Sequence, residues 1–178
     1  MTFKETTISS EYIYKGKIIN LRKDHVEIVS GKTSFREIVE HNGGVGLVVL
    51  TEQGKMVLVR QFRKAVEKDI LEIPAGKIEN NEEPIAAAIR ELKEETGYTA
   101  RKMEFMGKIY PSVGYTTELI YLYLCTELTP GETDFDESEA IDIEEYNLEE
   151  LYKMSLAGKI EDGKTLAAIL LVYGRKDE

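Results

Sequence analysis

The stretch from Pro84 to Thr96 constrains this chain most: it reads as an amphipathic helix carrying three glutamates near its C-terminal end. Pro84 suits the first turn, where its missing N–H costs nothing, and Gly97 suits the position just after a helix. Asn81 or a neighbour is expected to cap the start. On a helical wheel Ile85, Ala88, Ile89 and Leu92 form the apolar stripe, and Glu91, Glu94 and Glu95 share a face roughly opposite Ile85 and Leu92. Like charges three and four residues apart cost a few tenths of a kcal/mol per pair. They also sit at the helix end whose dipole disfavours negative charge. The plain reading is a solvated acidic face. The sharper one follows from two local rules being broken together, which marks functional sites: a hard divalent cation such as magnesium, which prefers carboxylate oxygens, would turn the penalty into a gain.

The rest of the chain mixes strands and helices. Tyr12–Tyr14, Ile18–Val29 and Phe35–His41 alternate loosely between apolar and polar residues, with turns at Lys15–Lys17 and Gly31–Lys32. This N-terminal piece is too small to bury a core alone and must pack on something. Val45–Leu50, Met56–Val59, Lys102–Tyr110 and Leu119–Thr126 read as further strands, and Leu148–Leu156 and Thr165–Tyr173 as helices. An acidic loop runs from Thr129 to Glu139. The pattern predicts an α/β sandwich with a mixed sheet, divided into an N-terminal strand region over residues 1–43 and a main domain over 44–178.

Composition removes several classes. The net charge of −10 over 178 residues is poorly suited to holding a nucleic-acid backbone, so a bound anion would need a metal or a few arginines. A single cysteine, Cys125, excludes an internal disulfide and fits a reducing cytoplasm; its apolar surroundings predict a buried strand residue rather than a nucleophile. His25 and His41 make no zinc spacing. The polar start has no signal-peptide core, and no apolar run approaches the roughly 20 residues that span a bilayer.

The flanks of the helix decide between the two readings. Gly76, five residues, Glu82, then seven residues lead into Arg90-Glu91-Leu92-Lys93-Glu94-Glu95-Thr96-Gly97-Tyr98. This resembles the Nudix box, a glycine and glutamates at fixed spacing in a loop–helix–loop; only Tyr98, where an aliphatic residue is usual, is irregular. The resemblance implies a Nudix-type α/β/α sandwich with a small N-terminal antiparallel strand region. It implies Glu91, Glu95 and the Ala75 carbonyl as metal ligands, Glu94 as a further ligand or supporting group, and Arg90 as the residue orienting the box glutamates. The implied reaction is metal-dependent cleavage of a diphosphate. Magnesium, with manganese as a substitute, would neutralise the oxygens and lower the pKa of a bound water. A carboxylate would take the proton.

The substrate is suggested by longer stretches. Arg36–His41, Val59–Arg63, Leu71–Glu79 and Gly158–Thr165 resemble the ADP-ribose pyrophosphatases of this family. That resemblance implies hydrolysis of ADP-ribose to AMP and ribose 5-phosphate and a homodimer formed through the N-terminal strands. It makes Arg36 a candidate for the adenosine half of the substrate in the partner subunit's site, Arg63 for the substrate's anionic or adenine portion, Glu118 for a terminal-ribose contact, and Ser112 and Gly114 for other substrate contacts. In the acidic loop it implies Glu137 as the base and Glu139 as one more ligand. One departure weakens the substrate assignment: Val113 stands where the subfamily usually has proline. The alternatives are another nucleoside diphosphate derivative, a nucleotide-sugar or a dinucleotide, and a non-catalytic Nudix-like sensor, which the intact Arg90, Glu91, Glu94 and Glu95 oppose.

Overall fold

A computed structural model of the chain describes residues 3–29, 31–135 and 140–175. It divides into two compact units, one comprising the chain up to Gly43 together with Tyr110–Leu119, the other Gly44–Ile109 together with the chain from Ile120 onward.

The first unit is a three-stranded antiparallel sheet in the order β1 (Thr6–Lys15), β2 (Asn20–Glu27), β3 (Thr33–Glu40). It holds little apolar interior: Val26 is buried, while Ile8, Tyr12, Ile13, Tyr14, Ile18 and Phe35 are exposed. A polar cluster partly replaces the core. Asp24, itself buried, accepts from the Arg22 guanidinium at 2.9 Å, and hydrogen bonds from Ser10 and Arg22 hold its carboxyl below the usual range. The segment Tyr110–Leu119 runs along β3, where Val39 N–H donates to Tyr115 O at 2.7 Å and Thr117 N–H to Val39 O at 2.9 Å.

The second unit has three layers. Its mixed sheet has the order β10 (Ile141–Asn147), β5 (Lys55–Arg63), β4 (Gly44–Leu50), β9 (Ile120–Thr129), β8 (Thr99–Ile109), with β6 (Lys68–Glu72) on β5 and β7 (Ala75–Lys77) on β4. The β4–β9 pair is parallel and the others are antiparallel. Strand periodicity sends alternate residues to opposite faces. Val45, Leu47 and Val49 of β4 join Ala87, Ala88 and Leu92 of α1 (Pro84–Thr96). Val48 instead joins Leu151 of α2 (Leu148–Leu156) and Ala168 and Ile169 of α3 (Gly163–Gly174). The expected α/β sandwich is present. Strands β6, β7 and β10 were not anticipated, being short or rich in charge.

Strand β4 changes partner along its length, and this places the site. It pairs with β5 at Val49 and Leu50, then with β7 at Gly44–Gly46. In the gap between, Leu47 N–H donates to the carbonyl of Pro74 at 2.8 Å. The segment joining β6 to β7 thus lies where the sheet splays.

Helix α1 has the expected bounds, but its cap and buried face differ. Glu83 is the N-cap and makes no side-chain cap bond; Asn81 instead takes a left-handed backbone with φ of 64°. Gly97, at φ 71°, closes the helix by donating to Lys93 O. Ile85 and Ile89 are 40% and 56% exposed, so they are not the buried stripe. Glu91 and Glu95 are buried beside Leu92. The wheel erred because it sent every carboxylate to solvent. We expect Leu92→Ala to cost about 2–5 kcal/mol, as a buried leucine does. Ile89→Glu should stay within about 0.5 kcal/mol of wild type. Urea unfolding of both variants checks this, and equal losses would overturn the assigned helix face.

Candidate active site

The site is built where α1 faces the β6–β7 segment. Arg90 is its organising group. Its Nε donates to Glu82 Oε1 at 3.0 Å and its Nη2 to Glu82 Oε2 at 3.1 Å. Its Nη1 donates to Glu91 at 2.6 Å and to Glu94 at 2.8 Å, and Nη2 also reaches the Lys77 carbonyl at 3.0 Å. The Glu82 hydrogen bond is the main cause of a raised Arg90 pKa, outweighing partial burial, so the guanidinium stays charged. In return Arg90, helped by the Glu79 N–H, holds the Glu82 carboxyl below its ordinary range. Three carboxylates surround one cation.

Two close approaches fix the buried glutamates. Glu95 accepts from the Ala75 N–H at 2.8 Å. Glu91 lies against Gly76: a Cβ added there would come within 1.9 Å of the Glu91 carboxylate carbon. That contact gives the glycine a physical reason. Ala75, Glu91, Glu94 and Glu95 are therefore gathered at one end of α1, and they offer hard oxygen donors of the kind magnesium and manganese take. Among the described residues no ready-made cluster of three metal-ligating side chains is present.

A second ionic group lies beyond this one. Arg63 grips Glu72 with Nε at 2.6 Å and Nη2 at 2.7 Å, and Lys164 also pairs with Glu72. Burial alone would raise the Glu72 carboxyl; the Arg63 bonds and the Lys164 charge outweigh it and hold the pKa low. Arg63 senses the Glu95 charge as well. Glu72, Lys164 and Glu82 were not singled out for roles from sequence, although Glu82 holds a fixed place in the box.

The substrate-contact candidates other than Arg63 lie in the first unit. Arg36, on β3, pairs with Glu5 and contacts Ser34 at 3.1 Å. Ser112, Gly114 and Glu118 belong to the segment along β3; Glu118 N–H donates to Thr116 Oγ1 at 3.1 Å, and Glu118 lies 3.9 Å from His41 Nδ1. Glu137 and Glu139 lie outside the described residues. The loop leading toward them is tied to α1, since Asp134 N–H donates to Glu94 O at 3.0 Å. Cys125 is buried, and burial pushes its thiol up to about 12, which suits packing and not nucleophilic attack.

Comparison with known proteins agrees with this geometry. The NUDIX domain model matches residues 40–169. This chain belongs to the Nudix family. Residues 5–39 of this Nudix protein match a second model, the nucleoside diphosphate sugar hydrolase N-terminal domain. The protein is 43% identical to an ADP-ribose pyrophosphatase of Bacillus subtilis, covering 94% of this chain and 92% of the relative. It is 42% identical to a methanol dehydrogenase activator of Bacillus methanolicus, covering 94% and 91%. The crystal structure of an ADP compounds hydrolase superposes with a TM-score of 0.84 over 96% of this chain and 93% of that one, at 22% identity, a likeness of fold.

The Gly76 contact yields a direct test. Gly76→Ala should leave the fold intact, because the displaced group is the end of a flexible side chain. It should drive the Glu91 carboxylate from its place and lower turnover by roughly 10²-fold, the scale of a 1 Å misplacement. Kinetics beside a thermal melt check this; unchanged turnover in a folded variant would refute the role given to the contact.

Proposed function

We propose that this protein hydrolyses the diphosphate of ADP-ribose to AMP and ribose 5-phosphate, using a bound divalent ion. The observation that carries the reading is the set of buried glutamates at the end of α1, Glu91 against Gly76 and Glu95 on the Ala75 N–H. Near-equal identity to relatives with two different names does not select an activity by itself. The intact carboxylate set favours hydrolysis over a sensor.

In this reading Glu91, Glu95 and the Ala75 carbonyl hold the ion, magnesium by preference and manganese as a substitute. The donors fit: all are oxygens, and the carboxylates around Arg90 exceed its single charge. When bound, the ion neutralises diphosphate oxygens and acidifies a water. Arg90 and Glu94 orient the ligands. Glu137 is assigned as the base and Glu139 as a further ligand on sequence alone. Arg63 is assigned to the anionic or adenine portion of the substrate, Arg36 to the adenosine half in the partner subunit's site, Glu118 to the terminal ribose, and Ser112 and Gly114 to other contacts. These arginines reconcile an anionic ligand with a net charge of −10.

A nucleotide-sugar is the second reading, favoured by the match of residues 5–39 to a nucleoside diphosphate sugar hydrolase domain. Nucleic acid is opposed by the net charge. No helix of the described residues is long and apolar enough to cross a membrane, and we assign the cytoplasm on the lone buried cysteine.

The test is a panel of ADP-ribose, nucleotide-sugars and dinucleotides, with products identified. We expect ADP-ribose to be turned over fastest, giving AMP and ribose 5-phosphate, with activity abolished by EDTA and restored by magnesium or manganese. Full turnover in metal-free buffer would sink the metal reading, and faster turnover of a nucleotide-sugar would replace the substrate.

We also propose a homodimer through the N-terminal strands. Ile8, Tyr12, Ile13 and Tyr14 of β1 are exposed, and such a patch marks an interaction surface. Sedimentation should give twice the 20.2 kDa of one chain. A fully active monomer at micromolar concentration would contradict the proposal.

A further inference from the structure

The segment Asp162-Gly163-Lys164-Thr165 opens α3, far in sequence from the glutamate helix. Its contacts converge on the β6–β7 segment. Thr165 is fully buried. Its hydroxyl accepts from the Ile73 N–H at 2.7 Å and donates to Asp162 Oδ2 at 2.5 Å. Both its proton and a lone pair are thereby committed. Helix capping does not require this hydroxyl, because Asp162 Oδ2 already accepts from the Thr165 N–H at 2.9 Å.

Ile73 is two residues before Ala75, whose N–H holds Glu95. The residue between them is Pro74, whose ring fixes φ and whose carbonyl is taken by Leu47 N–H at 2.8 Å. Three successive residues are therefore anchored by three elements: Ile73 by α3, Pro74 by β4 and Ala75 by α1. A shift at Ile73 is carried through a stiff link to the Ala75 peptide. Lys164, paired with both Asp162 and Glu72, ties the same helix start to the end of β6.

We propose that Thr165 is a positioning residue of the metal site, acting through the Ile73–Ala75 backbone on Ala75 and Glu95. The proposal rests on the reading that these two hold the divalent ion. An apolar side chain of the same shape would fill the space but leave the buried Ile73 N–H without its acceptor. The segment would then relax, and the Ala75 carbonyl and Glu95 carboxylate would lose their mutual geometry.

The experiment is a manganese titration followed by electron paramagnetic resonance, which gives both affinity and number of sites. It compares wild type, Thr165→Val, Thr165→Ser and Glu95→Gln. We expect Thr165→Val to keep the wild-type number of sites and bind manganese roughly 10- to 100-fold more weakly, the usual effect of losing a group that orients metal ligands. Thr165→Ser, which keeps the hydroxyl, should stay close to wild type. A loss of sites at unchanged affinity would mean that Thr165 only supports folding, and would overturn the proposal. So would wild-type affinity in Thr165→Val while Glu95→Gln binds weakly, an outcome that leaves the metal reading standing. Wild-type affinity in Glu95→Gln would instead sink the metal reading. Should Thr165→Val fail to fold, Thr165→Cys, which keeps a side chain of similar size but accepts a hydrogen bond only weakly, takes its place with the Asp162 cap intact. Weaker manganese binding is expected there, and unchanged affinity overturns the proposal.

Discussion

The Arg90 guanidinium is the contact on which the site depends. It donates to Glu82, Glu91 and Glu94 and to the Lys77 carbonyl, binding the helix to the loop before it. Without that cation, carboxylates three and four residues apart would repel one another at the end of a helix whose dipole also disfavours them. One positive charge meets three negative ones. A chain selected for stability alone would not bury Glu91 and Glu95 beside Leu92, since replacing buried charge with apolar packing is often neutral or stabilising.

The glycines around this cluster follow from the same close approach. Gly76 has no side chain because the Glu91 carboxylate occupies the place where one would be. On the neighbouring strand a Cβ at Gly44 would come within 2.9 Å of the Gly76 carbonyl. At the same, C-terminal end of the helix, Gly97 takes the left-handed turn and lies so near Gly131 that a Cβ would meet its carbonyl at 2.6 Å. Glycine here serves to let carboxylate and backbone approach, more than to confer flexibility.

Much of this was legible in the sequence, and the failures share a cause. Helix bounds were readable because Pro84 and Gly97 act locally, and the box spacing marked the right glutamates. The buried face was misread because periodicity assumes that carboxylates seek water, so Ile85 and Ile89 were sent inward and are exposed instead. Strand β10 was missed because its charged Asp142, Glu144 and Glu145 hide the alternation, and its identity depends on pairing with β5. Glu72 and Thr165 lie in stretches that carry the resemblance, but nothing local gave either a role, since each acts through a partner distant in sequence: Glu72 through Lys164, Thr165 through Ile73.

The splay of β4 ties these observations into one account of why a site forms here. A strand that kept β5 as its neighbour throughout would leave no room for the Ile73–Ala75 crossing. Because β4 exchanges β5 for β7, Ile73 and Pro74 leave regular pairing and Ala75 opens β7 opposite Gly46, and the polar groups of all three must find partners at the break. Ile73 finds the Thr165 hydroxyl, Pro74 finds Leu47, and Ala75 finds Glu95. The last of these partners is a carboxylate, so satisfying the backbone and placing a charge are the same event. The polar need created by the break in the sheet is thus what draws Glu95 to its position. The helix supplies that carboxylate at the required height only because Arg90 and Gly76 let Glu91, one turn earlier, settle against the same backbone.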